Sequence, residues 1–357
     1  MARPPRAASS LDRRPLGDSG IDVPSLCLGT MMYGDQIGEA DAHRQMDRCL
    51  ERGIDFLDTA ELYTIPPKAE TQGESERIVG RWIEARAVRD RVVLATKATG
   101  RSSNAWLRGG APVRITREQL RGALERSLAN LRTDHVDLYQ LHWPDRPVRN
   151  FGAQIEGFAP YEEDGPSIDE QLGWLGELVA EGKVRAIGLS NETAWGVMAF
   201  LRAAERGHGP RVVSLQNAYN LLNRTYEEGL AEIAQQEGVG LLAYSPIAQG
   251  ALTGKYLGGE KPRGSRGELF GRLGRYETPS ADAAIEAYVA VADRFGIDRA
   301  AFAMAFVTTR PFVTSNIFGA RTDAQLDAIF ASLEVSWTDE TERAVNAVHA
   351  RLPNPCP

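Results

Sequence analysis

The sequence predicts an α/β protein closed into a (β/α)8 TIM barrel, with an N-terminal β-hairpin and long loops on the C-terminal face. Three observations carry that prediction. Eight short apolar runs alternate in series with amphipathic stretches, the pattern of repeated strand–helix units. No Gly-x-Gly-x-x-Gly follows the first strand, which argues against a doubly wound dinucleotide fold. The long connections 99–115, 144–167 and 247–280 all follow strands, so a barrel puts them on the face where barrel active sites are built.

Taken in order, residues 1–12 read as a loose N-terminal tail and 13–357 as a single barrel domain. "RRPLGDSGIDVPS" reads as a hairpin around a Gly-containing turn, placed to plug the barrel's bottom. The strands are "LCLGT" (26–30), "DFLDTA" (55–60), "VVLATKA" (92–98) and "DLYQLHW" (137–143), then "AIGLSNE" (186–192), "VVSLQNAYN" (212–220), "LLAYSP" (241–246) and "VTSNIFGA" (313–320). Between them, "ADAHRQMDRCLERG", "SERIVGRWIEARA" and "TREQLRGALERSLANL" have helical periodicity, and Thr116 at the head of the last suits an N-cap.

Bulk properties narrow the function. A net charge of −7 argues against nucleic acid or an anionic membrane as partner. Cys27, Cys49 and Cys356 lack metal or disulfide spacing and suit a reducing compartment. No apolar run approaches the roughly 18 residues that span a bilayer. The basic, polar start lacks the apolar segment of a signal peptide. The expectation is a cytoplasmic protein.

Two buried charges are the strongest local signal. Asp58 sits among Phe56, Leu57 and Ala60, and Lys97 sits inside "VVLATKA". Each is costly to bury alone, and they fall at the ends of adjacent strands, so each is the other's natural partner. Tyr63 follows the first of these strands and His142 ends the next but one. A cation about 4 Å from a phenol, at an effective dielectric near 20, favours phenolate by up to ~4 kcal/mol. That is roughly three pKa units at most, fewer once Asp58 offsets the charge. The expectation is a tyrosine that exchanges protons near neutral pH, with His142 hydrogen-bonded to the same substrate oxygen.

The segments "FLDTAELY", "LATKA" and "LHWP" resemble, in order and approximate spacing, the catalytic segments of the aldo-keto reductase family. "PPKAETQGESERIVG", "SNETAWGVM" and "LLNRTYEEGLAEIAQ" look like its bacterial Tas-like branch. The resemblance runs from about Leu16 to Val348. It implies reversible NADP(H)-dependent reduction of an aldehyde or ketone to an alcohol. Tyr63 would be the general acid, assisted by Lys97 and Asp58, with His142 orienting the carbonyl.

The resemblance also implies a cofactor site. Gly29, Thr30, Met31 and Asp58 would line it, and Ser190, Asn191 and Gln216 would fix the nicotinamide carboxamide. Tyr244 would stack on the ring. Ser245, Pro246, Ile247, Gly250 and Leu252 would pass the pyrophosphate, with Lys255 and Arg266 adding charge, while Arg263, Arg272 and Arg275 read as solvated loop charges. Gly319, Arg321, Thr322 and Gln325 match the segment that takes the adenosine 2′-phosphate, at a helix N-terminus. Relatives often carry Glu-Asn, a pair that holds the adenine amino group, where this chain has Ala328 and Ile329.

Other readings are weaker. "GDSG" precedes any core element and reads as a turn, not a protease nucleophile segment, and "GALTGKY" lacks the spacing of a phosphate-binding loop. The histidines show no ligand spacing, so no metal is expected. A second function class is a cofactor-binding regulatory or scaffold subunit, as in the family's potassium-channel β-subunits. The intact His142 favours the enzyme. Met31, Met32, Tyr33, Trp106, Trp143, Phe151, Phe158 and Tyr161 on the upper loops suggest a pocket for aromatic or bulky apolar carbonyls.

Overall fold

The computed structural model describes residues 11–148, 151, 158–162, 164–271 and 273–357. Residues 1–10 of the expected tail, and Arg272, lie outside the described residues.

The hairpin comes first, β1 (Arg13–Pro15) pairing antiparallel with β2 (Asp22–Pro24). Eight strands follow: β3 (Leu26–Gly29), β4 (Phe56–Asp58), β5 (Val93–Ala98), β6 (Val136–Leu141), β7 (Val184–Ser190), β8 (Val212–Ala218), β9 (Gly240–Tyr244) and β10 (Val313–Phe318). They pair in parallel and close on themselves, β10 lying between β9 and β3. Each overlaps the apolar run that announced it. Helices α1 (Glu39–Glu51), α2 (Glu74–Arg86), α3 (Arg117–Leu131), α4 (Ile168–Ala180), α5 (Ala194–Glu205) and α6 (Leu230–Glu237) alternate with the strands. The path from β9 to β10 carries α7 (Arg266–Phe270), α8 (Ala281–Arg294) and α9 (Arg299–Thr308). After β10 come α10 (Asp323–Ala331) and α11 (Asp339–Arg351). The Thr116 hydroxyl accepts from the Gln119 amide at 3.3 Å, the cap expected for α3.

The hairpin does plug the barrel. Leu16, Ile21 and Val23 pack with Cys27, Phe56, Val93, Ala95, Leu138, Leu242 and Ile317 to form an apolar floor. The buried Arg14 ties the plug to the wall, donating to the Val313 carbonyl at 2.6 Å and the Thr308 carbonyl at 2.9 Å. The turn needs glycine at position 17, where φ is +58° and a Cβ would lie 2.7 Å from the Val213 carbonyl oxygen.

Side chains alternate along a strand, so the residues two positions past that floor also face inward. Two beyond Phe56, Ala95 and Leu138 stand Asp58, Lys97 and Gln140, all at most 2% exposed. The barrel is therefore apolar below and charged above, and that upper layer lies at the mouth formed by the strand ends.

Candidate active site

Three side chains answer the cost of burying Asp58. Lys97 Nζ donates to Asp58 Oδ2 at 2.6 Å, as the sequence argument required. The other carboxylate oxygen, Oδ1, accepts from Gln216 Nε2 at 2.9 Å and from Gln140 Nε2 at 3.2 Å. The remaining Lys97 contacts go to the Thr59 carbonyl at 2.8 Å and to the Tyr63 hydroxyl oxygen at 3.2 Å. Each ammonium hydrogen thus has an acceptor, and the buried pair is fully hydrogen-bonded.

Tyr63 is held there by its backbone. Its amide donates to the Ala60 carbonyl and its carbonyl accepts from Gly73, both at 3.0 Å, closing the loop after β4 into a fixed turn. Glu61, two residues earlier, grips Arg108 in the next loop with a bidentate pair at 2.6 and 2.8 Å and accepts from the Thr99 amide at 2.8 Å. His142 stands across the mouth, its ring edge-on to Tyr63 with centroids 5.6 Å apart. Trp143 backs it at 4.8 Å.

The electrostatics correct one expectation. Burial raises the Tyr63 pKa above its ordinary value, and the Lys97 charge offsets this only in part, with Asp58 adding to the rise. The sequence argument counted the neighbouring cation but not the loss of solvent around a phenol that is 8% exposed. Lys97 stays a cation. Burial pulls its pKa down, but Asp58 and Tyr63 together raise it above normal. His142 is neutral, because burial and then the Lys97 charge push its pKa well below 6.5.

The expected cofactor residues divide into those that converge and those already spent. Asn191, in the left-handed region at φ +52°, donates to the His142 carbonyl at 2.9 Å and to Ser190 Oγ at 3.1 Å, and accepts from the Tyr244 hydroxyl at 2.7 Å. Ser190 Oγ donates to the Gln216 carbonyl at 2.9 Å. These contacts lock the ends of β6 to β9 into one polar ring. Thr30 spends its hydroxyl on the Asp58 carbonyl and Ser75, while Gly29 and Met31 flank it at the end of β3. In the loop after β9, Ser245, Ala248, Gln249 and Gly250 all have positive φ. Such successive turns make concave sets of amides suited to anions. Pro246 and Leu252 face the core and Ile247 packs against it.

Two cations stand beside that loop. Lys255 Nζ lies where a Cβ on Gly250 would meet it at 2.7 Å, and Arg266 stacks on Phe270 at 5.1 Å with no carboxylate partner among the described residues. Arg321 reaches from the loop after β10 to the Gly264 carbonyl, while its Nε is buried without a hydrogen-bond partner among the described residues. The Arg321 amide donates to Gln325 Oε1 at 2.8 Å, and Thr322 caps α10. Gly319 is exposed beside them. Ala328 is half-buried and Ile329 lies in the core, so neither offers a polar group.

Two further expectations change. Arg275 is not a solvated loop charge, since it faces Tyr244 and Tyr276 and draws both phenols down against the burial that raises them. Tyr33 and Met32 do not line an upper pocket. Tyr33 is 1% exposed, its hydroxyl on Gln45, and Met32 is core beneath Gly319. Trp106 and Trp143 pack over Leu62, Leu107 and Val113, and Phe151 meets Trp143 edge-on at 5.6 Å, with Phe158 and Tyr161 exposed. The reading of the sequence missed Gln140, Glu61 and the Arg146–Glu192 pair at 2.5 Å. Gln140 carried a usable signal, a polar residue in an apolar strand two positions before His142.

A model of the aldo/keto reductase family matches residues 25–350. This chain belongs to the aldo/keto reductase family. Protein tas of Escherichia coli (strain K12) is 43% identical over 341 residues, which are 95% of this chain and 98% of the relative. Uncharacterized oxidoreductase YrpG of Bacillus subtilis (strain 168) is 33% identical over 93% of this chain and 94% of its own. Norsolorinic acid reductase stcV of Emericella nidulans is 31% identical over 90% of this chain and 77% of its own. Family membership makes this aldo/keto reductase an oxidoreductase of small carbonyl compounds. Among the described residues, no helix is long and apolar enough to cross a membrane.

Proposed function

We propose that the protein is a cytoplasmic, NADPH-dependent reductase that reversibly converts aldehydes or ketones to alcohols, with Tyr63 as general acid. One observation carries the reading. Lys97 is a donor only, so the Tyr63 oxygen must accept from it, at 3.2 Å. The hydroxyl hydrogen of Tyr63 has no protein acceptor among the described residues and is left to donate into the mouth. The raised pKa keeps that hydrogen in place, which suits proton delivery in the reductive direction. Neutral His142 supplies a ring N–H to steady the same oxygen.

The residues present fit a nicotinamide dinucleotide phosphate. The left-handed residues Ser245, Ala248, Gln249 and Gly250, together with Lys255, Arg266 and Arg321, which have no carboxylate partner among the described residues, form a path of donors and positive charge. Ser190, Asn191, Gln216 and Tyr244 would seat the nicotinamide, with Gly29, Thr30, Met31 and Asp58 below it. Gly319, Arg321, Thr322 and Gln325 would meet the 2′-phosphate. The cofactor supplies hydride when bound. Everything else is this chain's work: Asp58 and Lys97 fix Tyr63, Tyr63 gives the proton, and His142 aims the carbonyl.

Trp143, Trp106 and Phe151 support an aromatic or bulky apolar carbonyl as substrate, as does a relative named for reducing norsolorinic acid. A panel of aldehydes and ketones, followed by NADPH absorbance, tests this. Turnover of aromatic carbonyls above small charged aldehydes is expected. Preference for the small charged ones overturns the substrate class, and no turnover at all overturns the reductase.

A further inference from the structure

We propose that Gln140 is a positioning residue that sets the charge of the Asp58–Lys97–Tyr63 relay and ties it to Gln216. The inference rests on the reading of Tyr63 as proton donor. Gln140 is fully buried on β6, in register opposite Lys97 and two residues before His142. Its Oε1 accepts from Gln216 Nε2 at 3.2 Å, which forces its own NH2 toward Asp58 Oδ1, also at 3.2 Å. Gln216 Nε2 reaches the same oxygen at 2.9 Å. The two amides and the carboxylate close a ring spanning β4, β6 and β8.

Barrel packing does not require an amide here. The inward neighbour below, Leu138, fills the floor, and an apolar side chain of similar length would cost no polar desolvation. What the amide adds is a donor to Asp58 on the side away from Lys97. The charged and titratable groups facing this cluster are Lys97 on β5, Tyr63 after β4, His142 after β6, Tyr244 on β9 and Cys27 on β3. His142 is neutral, and burial followed by the Asp58 charge holds the Cys27 thiol protonated, so Asp58 and Lys97 dominate the field at Tyr63.

The sign follows. Without the Gln140 donor, more of the Asp58 charge is uncompensated, the field at Tyr63 becomes more negative, and phenolate is less favoured. Reduction needs the phenol and fails above its pKa, so the alkaline limb of the pH profile moves up. Alcohol oxidation needs phenolate, and its rising limb moves up by the same amount. Gln140 also keeps Gln216 Nε2 turned to the carboxylate, which leaves Gln216 Oε1 as the acceptor for a ligand amide.

The test compares wild type with Gln140→Met, which keeps length without the amide, and Gln140→Leu, which repeats the side chain of Leu138 below it and also lacks the donor. Carbonyl reduction is followed by NADPH absorbance from about pH 7 to 12, which brackets a phenol held above its ordinary value near 10, with thermal melting of each protein. The expected result is an alkaline limb about half a unit to one unit higher, a part of the roughly one to two units that a lost hydrogen bond to a charge is worth at the carboxylate itself, and kcat ~10-fold lower. Should Gln140→Met fail to fold, Gln140→Leu decides. Folded variants with the limb unmoved would show that Gln140 only packs, and the inference is then wrong while the reductase stands. A wild type that reduces no carbonyl removes the reading beneath it.

Discussion

Tyr63 accepts from Lys97 and keeps its own hydrogen for the mouth of the barrel, so on the proposed mechanism its hydroxyl is needed only when charge develops on a substrate oxygen. Tyr63→Phe should lower carbonyl reduction by 10²–10⁴-fold while NADPH affinity stays near wild type, since the ring and its packing remain. Steady-state rates and a fluorescence titration of the same preparation read both; an unchanged rate removes Tyr63 from the mechanism. On the proposed function, Arg321 carries the choice between cofactors. Its guanidinium is anchored to the Gly264 carbonyl but retains an unpartnered Nε beside the α10 N-terminus, a setting suited to phosphate. Arg321→Ala should weaken NADPH binding roughly ten- to a hundredfold, from a loss of ~1.5–3 kcal/mol, and leave NADH nearly untouched. Equal losses for both cofactors would show that Arg321 serves the loop and not the 2′-phosphate.

At the scale of elements, the catalytic face is held by pairs between loops. Glu61 and Arg108, at 2% and 6% side-chain exposure, join the Tyr63 loop to the one after β5, and Gln119 on α3 accepts from Arg108 at 3.0 Å. Arg108→Met would leave Glu61 buried with only the Thr99 amide and a longer contact to Arg126 at 3.4 Å. Removing one partner of a buried pair typically costs 3–5 kcal/mol, and the remaining donors should trim this to about 2–4 kcal/mol. Urea denaturation should show the lower midpoint, and kcat should fall because the Tyr63 turn loosens. A midpoint equal to wild type would mean that the pair contributes no net stability. Arg321 and Gly264 join the loops after β10 and β9 in the same manner, from the opposite side of the mouth.

For the whole molecule, closure depends on the helical layer as much as on the strands. Glu342 on α11 pairs with Arg310, which follows α9, at 2.6 Å. Burial alone would raise its pKa, but Arg310, Trp337 and Asn346 hold it down to about 2. A depressed carboxylate contributes stability above its unfolded pKa, near 4.5, and that contribution is lost as pH falls toward about 2. The ceiling is ~3 kcal/mol. Glu342→Gln should therefore lower stability at neutral pH by up to that amount and flatten the acid side of the stability curve in that window. Chemical denaturation at several pH values would check it, and parallel curves for variant and wild type would refute it.

Much of this molecule is legible in one dimension. Short apolar runs alternating with helical stretches fix the strand order, and the order fixes which strand ends meet. Asp58 and Lys97 could be paired before any coordinates, because neither is stable buried alone and β4 and β5 are neighbours. The hairpin plug followed from its Gly turn and apolar flanks. Tertiary structure decided what depends on the surroundings as a whole. The direction of the Tyr63 shift is a balance between one visible cation and the solvent removed by every element around it, and only the closed barrel sets the second part. The burial of Tyr33, the turn of Arg275 toward Tyr244 and the amide ring of Gln140, Gln216 and Asp58 arise the same way. Each joins residues far apart in the chain, where spacing carries no signal and only three-dimensional packing determines the partner.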